Sequence, residues 1–224
     1  MQNFLNKKMI NLLLISLILL FVTGQVSAMQ DEIPILDLPI LTTSAGKSPD
    51  VLNLNIVADE AGVKYDYCDV PNVELISKGV GLGDAESGEG FHVEVYTDTD
   101  KYPKGTPYKT VMFAIGASLK GMGASGLTVA DEVSRLTQLI NYCKQNAITI
   151  VAVHVGGVSK RGAPGSDNEK MIDAVAPSAD YIIFTTDSNK DGRFTEIAEK
   201  NNVPITEIEY AIELVEVFQA MFPE

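Results

Sequence analysis

The chain has 224 residues, 46% of them hydrophobic and 21% charged, and its 17 Lys and Arg stand against 30 Asp and Glu for a net charge of −13. That length suits one domain of ordinary size with a full core. The acidic balance argues against nucleic acid or an anionic membrane surface as partner, since both need a basic footprint.

At the N-terminus Lys7 and Lys8 precede an apolar run from Met9 to Val22, and Val26-Ser27-Ala28 follows. A charged start, a short apolar stretch and small residues at its end predict a signal peptide over 1–28, cleaved after Ala28. A retained anchor needs about 18 or more apolar residues, and this run is shorter and broken by Ser16. No Cys follows it, so lipid attachment is not expected. The mature chain, 29–224, is expected to be a single exported domain, periplasmic or extracellular, with no membrane contact after cleavage. Loss of the two lysines leaves 15 basic against 30 acidic residues, or −15.

Asp31 to Leu38 reads as a lead-in and Pro39 to Thr43 as the first strand. The loop Thr43-Ser-Ala-Gly-Lys-Ser-Pro-Asp50 follows. Ser48 can cap a helix with Pro49 at its first position, and Val51, Leu54, Val57, Ala58 and Ala61 form a buried stripe ending at Gly62. Gly46-Lys47-Ser48 imitates a phosphate loop, but the Walker pattern needs glycine where Leu41 stands, so a Walker NTPase is rejected. Val63 to Cys68 is a weaker strand, and Asn72 to Lys78 a short helix. From Gly79 to Lys109 the composition shifts to glycine, acids and tyrosine. Phe91, Val93 and Val95 alternate there with polar residues, which predicts an extra strand within a long excursion. Such an excursion serves as a lid, a partner surface or a decorated loop.

The organising stretch comes next. Thr110 to Ser118 is an apolar strand, Leu119 to Gly126 a glycine-rich turn, and Thr128 with Asp131 a capping box opening a helix with Val129, Val133, Leu136, Ile140 and Cys143 on one face. Ile148 to Gly157 is a second apolar strand. Strand, crossover helix and strand make a βαβ unit and hence a parallel sheet covered on both faces. Ser166 with Glu169 predicts another capping box and a helix to about Ala176, and Asp180 to Thr186 a further strand. The turn Asp187 to Arg193 opens a helix through Lys200, and Val203 to Ile205 is a short last strand. Thr206 with Glu209 is expected to cap a final helix carrying Ile208, Ile212, Val215 and Phe218. The fold class is therefore α/β, a three-layer, doubly wound, mostly parallel sheet of flavodoxin or Rossmann type, with its switch point between the strands at Ile40 and Val111. Cys68 and Cys143 fall at opposite poles of this sheet, which predicts unpaired core thiols.

Right-handed crossovers place the strand-to-helix loops on one edge. Each of the four carries a base: Lys47, Lys120, Lys160 with Arg161, and Lys190 with Arg193. Each also leads into a helix N-terminus, where free amides favour an anion. The expected site is a cleft at the carboxyl ends of the strands that takes a small anionic molecule, a carboxylate or a phosphate. Its candidates are Ser44, Gly46, Lys47, Ser48, Ser118, Lys120, Gly121, Gly123, Gly156, Gly157, Arg161, Ser166 and Asp167. Solvated charges and turn-making glycines are the plain alternative. His154, with Asp167, is the candidate for acid-base work, against a satisfied core histidine. No Gly-x-Ser-x-Gly elbow or reactive-looking cysteine supports a nucleophile. Asp187 to Gly192 imitates a calcium loop, but its twelfth position is Ala198, with Glu199 one late. Two histidines without matching ligand spacing give no zinc site, so neither metal nor cofactor is expected. Three readings compete: a binding module, an enzyme acting on a small carboxylate or phosphate, and a protein-interaction module using the excursion.

The loops Thr-Ser-Ala-Gly-Lys-Ser-Pro-Asp, Gly-Ala-Ser-Leu-Lys-Gly-Met-Gly-Ala-Ser-Gly, His-Val-Gly-Gly with the following Arg-Gly and Ser-Asp, and Asn-Lys-Asp-Gly-Arg-Phe resemble the motifs of an exported bacterial family of unknown function. The resemblance runs from about Leu38 to Phe222, and the second motif is its most specific part. It implies an α/β fold and bacterial export, and no activity. The excursion from Gly79 to Lys109 matches least well.

Overall fold

The structure, a computed structural model, describes residues 32–223; the expected signal peptide lies outside them. Seven strands form one sheet in the order β3-β2-β1-β4-β5-β6-β7. They are β1 (Ile40–Ala45), β2 (Tyr65–Cys68), β3 (Val93–Val95), β4 (Thr110–Ile115), β5 (Thr149–His154), β6 (Tyr181–Thr185) and β7 (Ile205–Ile208). All pair in parallel except β3, which runs antiparallel on the outer edge of β2. β1 lies between β2 and β4, with Ile40 opposite Thr110 and Leu41 opposite Val111. The chain winds outward one way through β2 and the other way through β4 to β7, so the switch point falls where the sequence places it.

The helices are α1 (Asp50–Glu60), α2 (Val73–Ser77), α3 (Leu119–Ala124), α4 (Val129–Gln145), α5 (Asp167–Val175), α6 (Arg193–Asn201) and α7 (Leu214–Met221). One sheet face packs Leu41, Phe113, Ile150 and Phe184 against Leu136 and Ile140 of α4, Ile172 of α5 and Phe194 of α6. The other packs Ile40, Met112, Val151 and Ile183 against Leu54 and Val57 of α1 and Val217 and Phe218 of α7. β4 is buried at every position because a central parallel strand has cover on both faces. The capping box of Thr128 and Asp131 forms as expected. Cys68 and Cys143 are free and buried, and burial pushes both thiols up to about 12.

Four local readings differ from the structure. Leu119 to Gly126 is not an open turn: Leu119–Ala124 is a one-and-a-half-turn helix whose first amides are held by the Ser118 hydroxyl, which accepts from Gly121 N. A good cap offsets the low helix preference of its glycines. Ser166 stands at the N-cap of α5 but its hydroxyl makes no cap bond, and the Glu169 carboxylate, the other half of the box, is drawn instead to Arg161. The last strand begins two residues and ends three residues later than expected, at Ile205–Ile208, and the final helix starts at Leu214 rather than after Thr206. Thr206 is buried in β7 against the Tyr181 hydroxyl. Pairing the open edge of β6 satisfies backbone groups that a helix there would leave bare. Ile212 accordingly stays 66% exposed instead of joining the buried face.

The excursion is tied down rather than loose. The carboxylate of Asp66, fully buried on β2, accepts Gly81 N at 2.7 Å, Thr97 N at 3.1 Å and the Tyr108 hydroxyl at 2.6 Å. Its tip is held at the carboxyl edge, where Lys47 donates to the Gly90 carbonyl at 2.8 Å and Asp69 accepts His92 N at 2.9 Å. The tip also walls a cleft of about 440 Å³ against α4, lined by Phe91, Leu127 and Arg135 among others.

Candidate functional site

The loops after β1, β4 and β5 meet at the switch point. Gly46 ends β1 at φ +84°, and a side chain there would meet the Gly116 carbonyl at 2.6 Å and Met171 at 2.7 Å, so only glycine fits. Its amide donates to Glu132 Oε1 at 2.7 Å. Glu132 is fully buried and also holds Arg135, which donates to it through Nε at 2.7 Å and Nη2 at 2.6 Å. Arg135 reaches on to the carbonyls of Ser44 at 2.9 Å and Pro71 at 3.0 Å. One ion pair on α4 thereby fixes the backbone ends of β1 and β2.

Three other glycines at this edge lie against lysine stems. A Cβ on Gly121 would meet Lys47 Cγ at 2.7 Å. At Gly116 it would meet Lys160 Cδ at 3.1 Å and Ser48 Oγ at 2.9 Å, and at Gly156 it would collide with both Lys160 Cγ and the Asp50 carboxylate. Lys160 thus lies along a trough between the ends of β4 and β5 and delivers its ammonium to the Ala117 carbonyl at 3.4 Å. Ala117 N in turn donates to Asn168 Oδ1 at 2.8 Å, bringing the start of α5 to the same place. Asp50 is buried at the start of α1 and accepts the Ser48 hydroxyl at 3.1 Å.

The expected cations do not gather around one point. Lys47 turns toward β2, paired with Asp69. Arg161 turns the opposite way, holding Glu169 of α5 at 2.7 Å and, in the loop after β6, Asp191 at 2.8 Å and the Ser188 carbonyl, to which it donates. Those bonds keep the guanidinium protonated against the desolvation that opposes them, and the same pair holds the Asp191 carboxyl below its usual range. Arg193 pairs with Asp173 and Glu196. Lys120 and Gly123 are exposed, Ser118 is spent on its cap, and Ser44 donates to the Asp69 carbonyl at 2.6 Å. Asp167 pairs with Lys170 at 3.0 Å, while the buried Ser166 hydroxyl has no hydrogen-bond partner among the described residues. Gly156 and Gly157 form the turn after β5.

His154 is fully buried at the end of β5. Its Nδ1 lies 2.9 Å from Ser188 Oγ and its Nε2 3.2 Å from the Lys160 carbonyl, and its ring packs on Phe194 at 5.0 Å. Burial lowers its pKa, so the ring is neutral at neutral pH. Neither Ser166 nor Asp167 is its partner. Among the described residues no group of three or more His, Cys, Asp or Glu is placed to hold a metal.

The candidate list drawn from the sequence leaves out Asp50, Glu132 and Arg135, and Lys160 figures there only as one of the loop bases. Lys160 had a signal, being one of two adjacent bases in a strand-to-helix loop, but nothing local tells which of the two finds a carboxylate. Glu132 had none, since a single acid in the first turn of a helix reads as a solvated dipole partner.

No curated protein and no solved structure matches the chain. The family model described as a domain of unknown function (DUF6305) matches residues 37–222, from the lead-in to the end of α7, and the chain belongs to that family.

Proposed function

We propose that this is an exported domain that binds a small anionic molecule, a carboxylate or a phosphate, at the switch point, with Lys160 as the group that holds it. One observation carries this reading. Lys47, Arg135, Arg161 and Arg193 each have a carboxylate partner. Lys160, half-buried where the loops after β1, β4 and β5 meet, has none within 4.0 Å among the described residues and only a carbonyl at 3.4 Å. A desolvated ammonium gains more from an incoming anion than an exposed one does. The engaged, buried ring of His154 favours binding over catalysis, because a general acid or base must reach the ligand.

The test is thermal unfolding of the full-length protein with small carboxylates, phosphates, sulfonates and nucleotides. A binding anion at 100 times its Kd should stabilise by about 2.7 kcal/mol, which for a domain of this size is a rise in Tm of about 5–11 °C. Lys160→Met keeps the stem that fills the trough and removes the charge, so it should abolish the shift. If no anion raises Tm, or if Lys160→Met responds like the wild type, the site is elsewhere. Export has its own check, N-terminal sequencing of protein recovered from outside the cytoplasm, which should begin at Met29. An intact Met1 start in that fraction would count against it.

A further inference from the structure

A second cleft opens at the same edge, beyond β5, β6 and β7, with a volume of about 450 Å³. That is within the range of about 300–1,000 Å³ usual for small-molecule sites. Its walls come from the Gly156-Gly157 turn, from Thr186, Asp187 and Lys190 after β6, and from Glu209 and Tyr210 after β7. Three features set it apart from an ordinary surface dent. Tyr210 is 61% exposed, so a large aromatic ring is left uncovered beside polar groups. The segment presenting it is tied to the start of the last helix: the Glu213 carboxylate accepts Tyr210 N at 3.0 Å and Glu209 N at 3.3 Å. And Asp187, Glu209 and Lys190 stand around the cleft with no ion-pair partner among the described residues.

Asp187 is placed deliberately within the fold. Its Oδ1 accepts the Thr185 hydroxyl at 2.7 Å. Its Oδ2 lies against Gly157, whose φ of +59° and missing side chain are both needed there, since a Cβ would collide with that carboxylate. The carboxylate is therefore oriented before any ligand arrives.

The chemistry of the walls selects among ligand classes. An anion would face two carboxylates and gain one ammonium. A bare amine would use the carboxylates but meet Lys190 as a like charge. A neutral polyhydroxyl ring uses every group: its hydroxyls donate to Asp187 and Glu209 and accept from Lys190, while its C–H face lies on the Tyr210 ring, an amphipathic surface suited to one apolar face and a wet rim. We infer that this cleft is a subsite for a neutral pyranose, separate from the switch-point trough and divided from it by the Gly156-Gly157 turn.

The experiment is saturation-transfer NMR with calorimetric titration of the full-length protein. The probes are methyl pyranosides of glucose, galactose and mannose, with choline and inorganic phosphate alongside. Concentrations should reach about 10 mM, ten times a Kd near 1 mM. At least one pyranoside should bind, with its ring C–H protons saturated. Tyr210→Ala should weaken it by about fivefold or more, and Tyr210→Phe, which keeps the ring, should not. Asp187→Asn should cost about tenfold through the lost charged acceptor. The proposal is overturned if no pyranoside binds, if choline or phosphate binds with the Tyr210 dependence in place of a sugar, or if Tyr210→Ala binds as the wild type does.

Discussion

Glu132→Ala is expected to destabilise the domain by about 3–5 kcal/mol, the usual cost of removing one partner from a buried ion pair. At roughly 2–4 °C per kcal/mol for this size, Tm should fall by about 6–20 °C. The loss is large because three donors depend on one side chain. Arg135 is only 10% exposed in its side chain and gives Glu132 two hydrogen bonds, and Gly46 N gives it a third. Without the carboxylate, a guanidinium is left nearly buried with two carbonyls and no counter-charge, and the Gly46 amide loses its acceptor in a turn that no other residue can fill. Domains of this kind have about 5–15 kcal/mol in total, so the variant should sit near the edge of folding. The double variant Glu132→Ala, Arg135→Ala should be more stable than the sum of the two single losses, since removing both charges removes the uncompensated one. Urea unfolding of the four proteins measures this. A Glu132→Ala loss below 1 kcal/mol, or strict additivity in the cycle, would show that the pair is not the clasp holding the ends of β1 and β2.

How much of this was legible in the chain follows from which interactions are local. β4 and β5 could be read because strands with cover on both faces are apolar at nearly every position, and Thr128 with Asp131 because both halves of a capping box lie within one turn. Ser166 with Glu169 has the same spacing and failed, because Arg161 competes for the glutamate through a loop that brings residues eight apart together. β7 was misplaced for a related reason. Thr206 and Glu209 imitate a cap, and only the edge of β6 beside Ile205 decides that the backbone there extends. The site was legible as an edge and not as a set of side chains. The loops do lie together, as right-handed winding requires, and the bases in them are real. Their partners are tertiary: Asp69 lies 22 residues from Lys47, and Asp191 lies 30 from Arg161. A count of bases per loop cannot see those acids, and so it overestimated the free positive charge and missed that Lys160 is the base left unpaired in the trough. The candidate glycines Gly121 and Gly156 lie against the stems of Lys47 and Lys160, contacts that no local pattern in the chain announces.

Asp66→Ala should cost about 3–5 kcal/mol and act first on the excursion between Gly79 and Lys109. Asp66 differs from Glu132 in having no ion-pair partner among the described residues. Its charge is solvated instead by Gly81 N, Thr97 N and the Tyr108 hydroxyl, donors that come from the start, the middle and the end of the excursion. Each buried donor left without an acceptor costs about 1–3 kcal/mol, and the three fall in one place. Tyr108 is bound to this arrangement as well: burial, and then the neighbouring carboxylate, raise its pKa, so the phenol stays protonated and remains a donor throughout the range in which the protein folds. Asp66→Asn should be nearly as harmful as alanine, since an amide offers one acceptor oxygen and turns its NH2 toward groups that are themselves donors. The sheet does not depend on these bonds in the same way, because β1, β4, β5 and β6 pair on the far side of β2. The loss should therefore be graded along the chain. Hydrogen exchange should show amides of residues 79–109 opening in Asp66→Ala well before those of β4 and β5, and trypsin should cut at Lys101 or Lys104, both exposed in the excursion, while the remaining core still resists. If exchange accelerates equally in the excursion and in β4, Asp66 supports the whole sheet rather than the excursion. If neither accelerates and Tm is unchanged, the three donors find water in its place and the buried carboxylate is not what holds the excursion down.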